Sequence, residues 1–194
     1  MPFSKFIVFP IFVALQAAIL MLITPHIKIG PASIGGPALI TWIAFQSWAM
    51  YFLGGCTLKM AGKTTIGYAC GIVASVAIFK TAGFLGGALP ESLAATFALP
   101  LAVFIVVIPV MCAEKVELLN FIPAWFMGAA VFFALSFMSK PATMGDYVTI
   151  AIPEMIACVV GLGFGVCTVS FRKWYESKVI PQTEENAEQL KKSA

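Results

Sequence analysis

This sequence specifies an all-α polytopic membrane protein with six transmembrane helices, and three observations carry that expectation. Hydrophobic residues make up 60% of the 194 and charged residues 11%, where soluble domains average about 45–50% and about 25%. Mean hydropathy is +0.96. Six stretches each approach the roughly 20 mostly apolar residues that carry a helix across about 30 Å of hydrocarbon. A soluble fold of 20.7 kDa presents too much surface to water to hide that much apolar area.

The spans run at about 3–24, 37–55, 66–86, 92–112, 121–139 and 148–171. The first starts beside Lys5, but its apolar run is too long for a signal-peptide core and has no clean small-residue cleavage site. It is therefore expected to remain as a span. The last holds Pro153, so its effective helix is expected to begin later than 148. Residues 1–171 form the transmembrane domain. Residues 172–194 (RKWYESKVIPQTEENAEQLKKSA) mix both charge signs and read as a short cytoplasmic tail, partly helical or disordered.

Basic residues orient the chain. With both ends in the cytoplasm, Lys5, Lys59, Lys63, Lys115, Arg172, Lys173, Lys178, Lys191 and Lys192 lie inside, and only Lys28 and Lys140 lie outside. That asymmetry supports an N-in, C-in topology and an even number of crossings.

The two halves of three spans echo one another. Pro10 and Pro100 stand 90 positions apart, and so do the small-residue ladders Gly67, Gly71, Ser75 and Ala157, Gly161, Gly165. The pairs Pro37-Ala38 and Pro123-Ala124 are offset by 86. Small residues every fourth position let helix backbones approach closely, and the ladders are also read as surfaces for a homo-oligomer. A duplicated three-span unit must insert upside down relative to its twin. The sequence thus suggests a 3+3 inverted repeat, an arrangement that places transport pathways at the interface of the halves.

Ionisable side chains within spans are costly and mark candidate sites. Lys80 and Glu154 are the two, at similar depths from the outer side. They either meet as an ion pair in a substrate or proton site, or stay apart, with Lys80 snorkelling to the headgroups and Glu154 in an interfacial segment near Pro153. Gln16 and Gln46 lie near mid-depth and need partners in a dry environment. They either bond to each other across helices or line a polar pathway with Thr41, Ser47 and Thr96. Trp48, Phe45, Phe126, Phe132 and Phe133 either pack between helices or constrict a pore. Trp42 and Trp125, near the outer parts of their spans, and Trp174, at the inner edge, suit the aromatic belt. Segment 26–37 (HIKIGPASIGGP) reads as an ordered surface loop or as one that dips back into the protein.

Much chemistry is excluded. The net charge of +3, without a basic cluster in the body, gives nucleic acid no electrostatic footprint. A single histidine, His26, cannot supply bis-histidine haem ligation or a His-based zinc motif. Cys56, Cys70, Cys112, Cys158 and Cys167 show no metal-binding or disulfide spacing. No nucleophile–His–carboxylate set and no phosphate loop is present, so neither an enzyme nor a cofactor is expected.

Residues 121–130 (FIPAWFMGAA) resemble the F-x-P-G-x-F-x-G-A segment of the small bacterial inner-membrane proteins typified by YcdZ, and residues 48–56 (WAMYFLGGC) resemble that family's W-A-x-F-L-G-C segment. Ala124 takes the place of a glycine there, and Gly55 is an additional residue before Cys56. The likeness covers about 40–170 and implies a bacterial inner-membrane location. The functional expectation is a channel or facilitator for a small neutral or weakly charged solute. The alternative is a membrane scaffold that binds a partner protein or lipid.

Overall fold

A computed structural model describes residues 3–26 and 37–193, and among them every regular element is helical. The helices are α1 (Phe3–Phe6), α2 (Val8–Ile23), α3 (Pro37–Leu53), α4 (Leu58–Ala88), α5 (Glu91–Cys112), α6 (Ile122–Ser139) and α7 (Met144–Ser193), with single 3₁₀ turns after α2 and α5. Five stretches are long and apolar enough to cross a membrane: Phe3–Ile23, Leu58–Ala88, Glu91–Lys115, Ile122–Ser139 and Met144–Val179. The expected second span, 37–55, is α3, which at 17 residues is shorter than any of these. Most of the candidate re-entrant segment 26–37 lies outside the described residues.

Helix ends follow local chemistry. Helix α3 stops at Leu53 because Gly55 adopts φ +88° and Cys56 φ +60°, and the Cys56 amide returns to the Tyr51 carbonyl at 3.1 Å. The Tyr51 hydroxyl donates to the Cys56 carbonyl at 3.0 Å and pins the turn. Gly55 occupies the left-handed region that glycine tolerates without strain, which gives the extra residue before Cys56 a purpose. Helix α4 begins at Leu58, eight residues before the expected 66, because the Thr57 hydroxyl accepts from the Met60 amide. Its first turns are tied to the segment before α6: Lys59 Nζ donates to Glu117 Oε1 at 2.7 Å, and the buried Lys63 to Asn120 Oδ1 at 2.9 Å. The Lys59 ammonium holds the exposed Glu117 carboxyl below the usual carboxylate range.

Helix α7 departs most from expectation. Thr143 and Asp146 form a reciprocal cap: the Asp146 carboxylate accepts from the Thr143 amide at 2.8 Å, and the Thr143 hydroxyl accepts from the Asp146 amide at 3.2 Å. The helix therefore starts at Met144, four residues before the expected span instead of later than 148, and it runs unbroken to Ser193 through the segment read as a tail. Proline is tolerated inside a membrane helix when neighbouring groups take up the freed backbone carbonyl.

The ladders do the packing. A side-chain carbon on Gly71 would lie 2.2 Å from the Trp125 carbonyl oxygen, and one on Gly67 2.5 Å from the Ala124 Cβ. Two turns beyond Gly67, the Ser75 hydroxyl reaches the Ala129 carbonyl at 3.4 Å. Helices α4 and α6 thus run in the same direction in close contact. On α7, a carbon at Gly161 would lie 1.9 Å from the Ala44 carbonyl, and one at Gly165 2.7 Å from the Tyr51 ring. Ala157, fully buried, meets Ser47 through its carbonyl, so α3 and α7 also run in the same direction. Both ladders are spent on helices of the same chain, which corrects the expectation that they join copies. A homo-oligomer would need another surface.

Candidate functional site

The polar residues inside the bundle fall into two sets, one satisfied and one not. The satisfied set fastens α2 and α3 to α7. Gln16 is buried on α2, its amide donating to the Phe164 carbonyl at 3.3 Å and its oxygen accepting from the Thr168 hydroxyl at 2.8 Å. It does not meet Gln46, which is exposed on the outward side of α3. The cross-helix Gln16–Gln46 bond is therefore not formed, because Gln16 turns to α7 while Gln46 faces away from the bundle. Thr41 shares a short hydrogen bond with Thr24. The Ser47 hydroxyl, buried, donates to the Ala44 carbonyl at 3.1 Å and points at the Ala157 carbonyl 3.5 Å away.

The unsatisfied set centres on Glu154. Its side chain is fully buried, and neither carboxylate oxygen has a hydrogen-bond partner. The helix start at Met144 puts it ten residues into α7, about 15 Å along the axis from that end. That is deeper than a start at 148 would place it. The Tyr68 hydroxyl of α4, also buried and unpartnered, lies within electrostatic range, as does the Cys158 thiol one turn further along α7. An ionised carboxylate there would carry several kcal/mol of uncompensated desolvation. In its neutral form the carboxyl offers one donor and one acceptor, and the Tyr68 hydroxyl offers both.

Lys80 does not relieve Glu154. It is exposed, and its Nζ lies 5.6 Å from the centroid of the Tyr147 ring, so the two form no ion pair. Tyr147 stands seven residues before Glu154, on the same face of α7. With Ser136, Phe79 and Lys140 it lines a recess of about 230 Å³ at the end of the bundle. The Ser136 hydroxyl is buried there without a partner.

Of the aromatic candidates, Trp48 is buried beside Phe164, ring centroids 5.6 Å apart, with an unpartnered indole N–H. Phe126 and Thr96 instead face outward, and so take no part in an interior site. Sequence reading passed over Tyr68 and Cys158. Both sit inside the ladders, one residue after Gly67 and Ala157 and 90 positions apart, so the ladder spacing could have pointed to them. Among the described residues no three His, Cys, Asp or Glu side chains converge as metal ligands.

The attachment of α2 gives a direct test. Gln16→Leu and Thr168→Val should each lower stability in detergent by about 1–2 kcal/mol. The double variant should cost clearly less than the sum, because the two side chains share one bond; additive losses measured by thermal melting would contradict the geometry.

The class these features define is an all-helical protein with apolar helices of membrane-crossing length and a buried, unpartnered carboxyl at its centre. The chain belongs to the family described as "Protein of unknown function (DUF1097)", whose model matches residues 10–171. No curated protein and no solved structure matches it.

Proposed function

We propose that this protein is a six-span channel or facilitator for a small neutral or weakly charged solute, set in the bacterial inner membrane with both ends in the cytoplasm. The observation that carries the reading is Glu154: an ionisable side chain within a membrane-crossing helix, buried and unpartnered, is expensive and is best accounted for by a ligand. Beside Tyr68 it suits a solute with both a donor and an acceptor, such as an amide or a polyol. No catalytic role is assigned to it.

The packing favours six crossings over five. Helix α3 lies along α7 in the same direction, as α4 lies along α6, which suits alternating crossings in which α3 is the second. These two pairs exchange under the 3+3 inverted repeat: second with sixth span, and fifth with third. The lysine and arginine distribution supports the orientation, and the likeness to the YcdZ-type proteins supports the bacterial inner membrane. A homo-oligomer fits the reading only through surfaces other than the ladders.

The test is stopped-flow light scattering on proteoliposomes challenged with urea, acetamide or glycerol. At least one solute should equilibrate faster than in protein-free vesicles, and Glu154→Leu, which removes both the donor and the acceptor, should remove most of the increment. Protein-free rates for all three solutes would count against the channel. The scaffold reading is favoured by the continuation of α7 as helix to Ser193, beyond its apolar part. Truncation after Val179 separates the two, since a channel keeps its flux and a scaffold loses its partner.

A further inference from the structure

We infer that the groove between α2 and the far part of α7 is a binding site for one anionic phospholipid. The inference rests on the chain spanning a membrane but not on solute transport. The groove encloses about 680 Å³, and its N-terminal wall, on α1 and α2, is wholly apolar, running from Phe6 through Phe9, Pro10 and Val13 to Ala17. Those eleven residue steps cover about 16 Å along the axis, close to the roughly 15 Å of hydrocarbon in one leaflet. Polar groups stand only on the α7 side, in Arg172, Tyr175 and Glu176. Arg172 follows directly on the last apolar stretch, at the level where headgroups lie.

The guanidinium is placed and only partly used. Its Cζ lies 5.2 Å from the centroid of the Phe9 ring, and its Nε donates to Glu176 Oε1 at 2.8 Å. The four N–H groups on its terminal nitrogens make no hydrogen bond among the described residues, and the side chain is 58% exposed. A guanidinium with open donors matches a phosphate diester geometrically as well as electrostatically. Lys173 adds a second positive charge next in sequence. Tyr175, whose hydroxyl donates to the Lys5 carbonyl at 2.7 Å, ties the end of the groove shut.

The second large apolar groove sharpens the choice of occupant. It encloses about 740 Å³ along α5 and Phe126 and has no charged residue on its walls, so any lipid fits it equally. Apolar length closed at one end by a cation is the complement of an anionic amphiphile. Glu176 opposes the phosphate, and its partnership with Arg172 must give way or share.

Native mass spectrometry of the full chain in detergent, titrated with palmitoyl-oleoyl phosphatidylglycerol or phosphatidylcholine, tests the inference. The first phosphatidylglycerol should bind about fivefold tighter than phosphatidylcholine, the worth of one basic contact at a membrane surface. Arg172→Gln should abolish that preference, Glu176→Gln should increase it, and Val13→Trp, which fills the groove, should weaken both lipids. Equal affinities in the unaltered chain would overturn the site, as would a preference that survives Arg172→Gln. Inorganic phosphate at matched concentration should not displace the lipid; displacement would reassign the site to a free anion. If Arg172→Gln does not fold, the Val13→Trp and Glu176→Gln results decide the matter alone.

Discussion

Gly161→Leu should destabilise the bundle strongly, while Gly163→Leu, two residues further along the same helix, should be tolerated. The first β-carbon alone would sit 1.9 Å from the Ala44 carbonyl oxygen and 2.1 Å from the Ser47 hydroxyl, whereas at Gly163 nothing lies within 4 Å. Backbone cannot move aside as a flexible side chain can, so α3 and α7 must separate along their whole contact. That costs at least about 3 kcal/mol on overpacking alone, a fall of roughly 6–12 °C in melting temperature for a chain of this size. Gly163→Leu should stay within about 0.5 kcal/mol. Melting in detergent, read by loss of the monodisperse peak, distinguishes the two, and equal behaviour would mean that α3 does not lie on α7 as described.

Glu154→Leu should make the protein more stable and less active. A structural carboxyl would be missed, but this one has no partner to lose, and its removal ends the cost of burying a polar group without compensation. The gain should be about 1–3 kcal/mol, a rise of roughly 2–12 °C in melting temperature. Glu154→Gln keeps the shape and buries an amide in its place, so its stability should change little. The leucine variant should lose solute flux, whereas the glutamine variant, which still offers a donor and an acceptor, should keep much of it. A leucine variant that melts lower than the unaltered chain would give Glu154 a structural partner and remove it as the centre of the site.

The opposite signs of these two effects separate what holds the bundle from what interrupts it. Close backbone approach at Gly67, Gly71, Gly161 and Gly165 supplies the contact that a lipid-facing protein cannot obtain from hydrophobic exclusion, because its surroundings are as apolar as its core. Glu154, Tyr68 and the Trp48 indole interrupt that packing with buried polar atoms that lack hydrogen bonds. Native structures hold few such atoms, and their occurrence on α3, α4 and α7 is what sets the interior apart from passive filler.

Composition and run length determined the helical class, the apolar medium and the rough position of each helix, and spacing alone exposed the ladders. These are properties that add residue by residue along one strand of sequence. The azimuth of each helix was not among them. That Gln16 turns to Thr168 and not to Gln46, that Phe126 faces outward, and that Lys80 leaves Glu154 unpaired were decided only in three dimensions. In water an amphipathic stripe tells the inner face from the outer. A helix bathed in lipid is apolar all round, and only contact with its neighbours says which side is in.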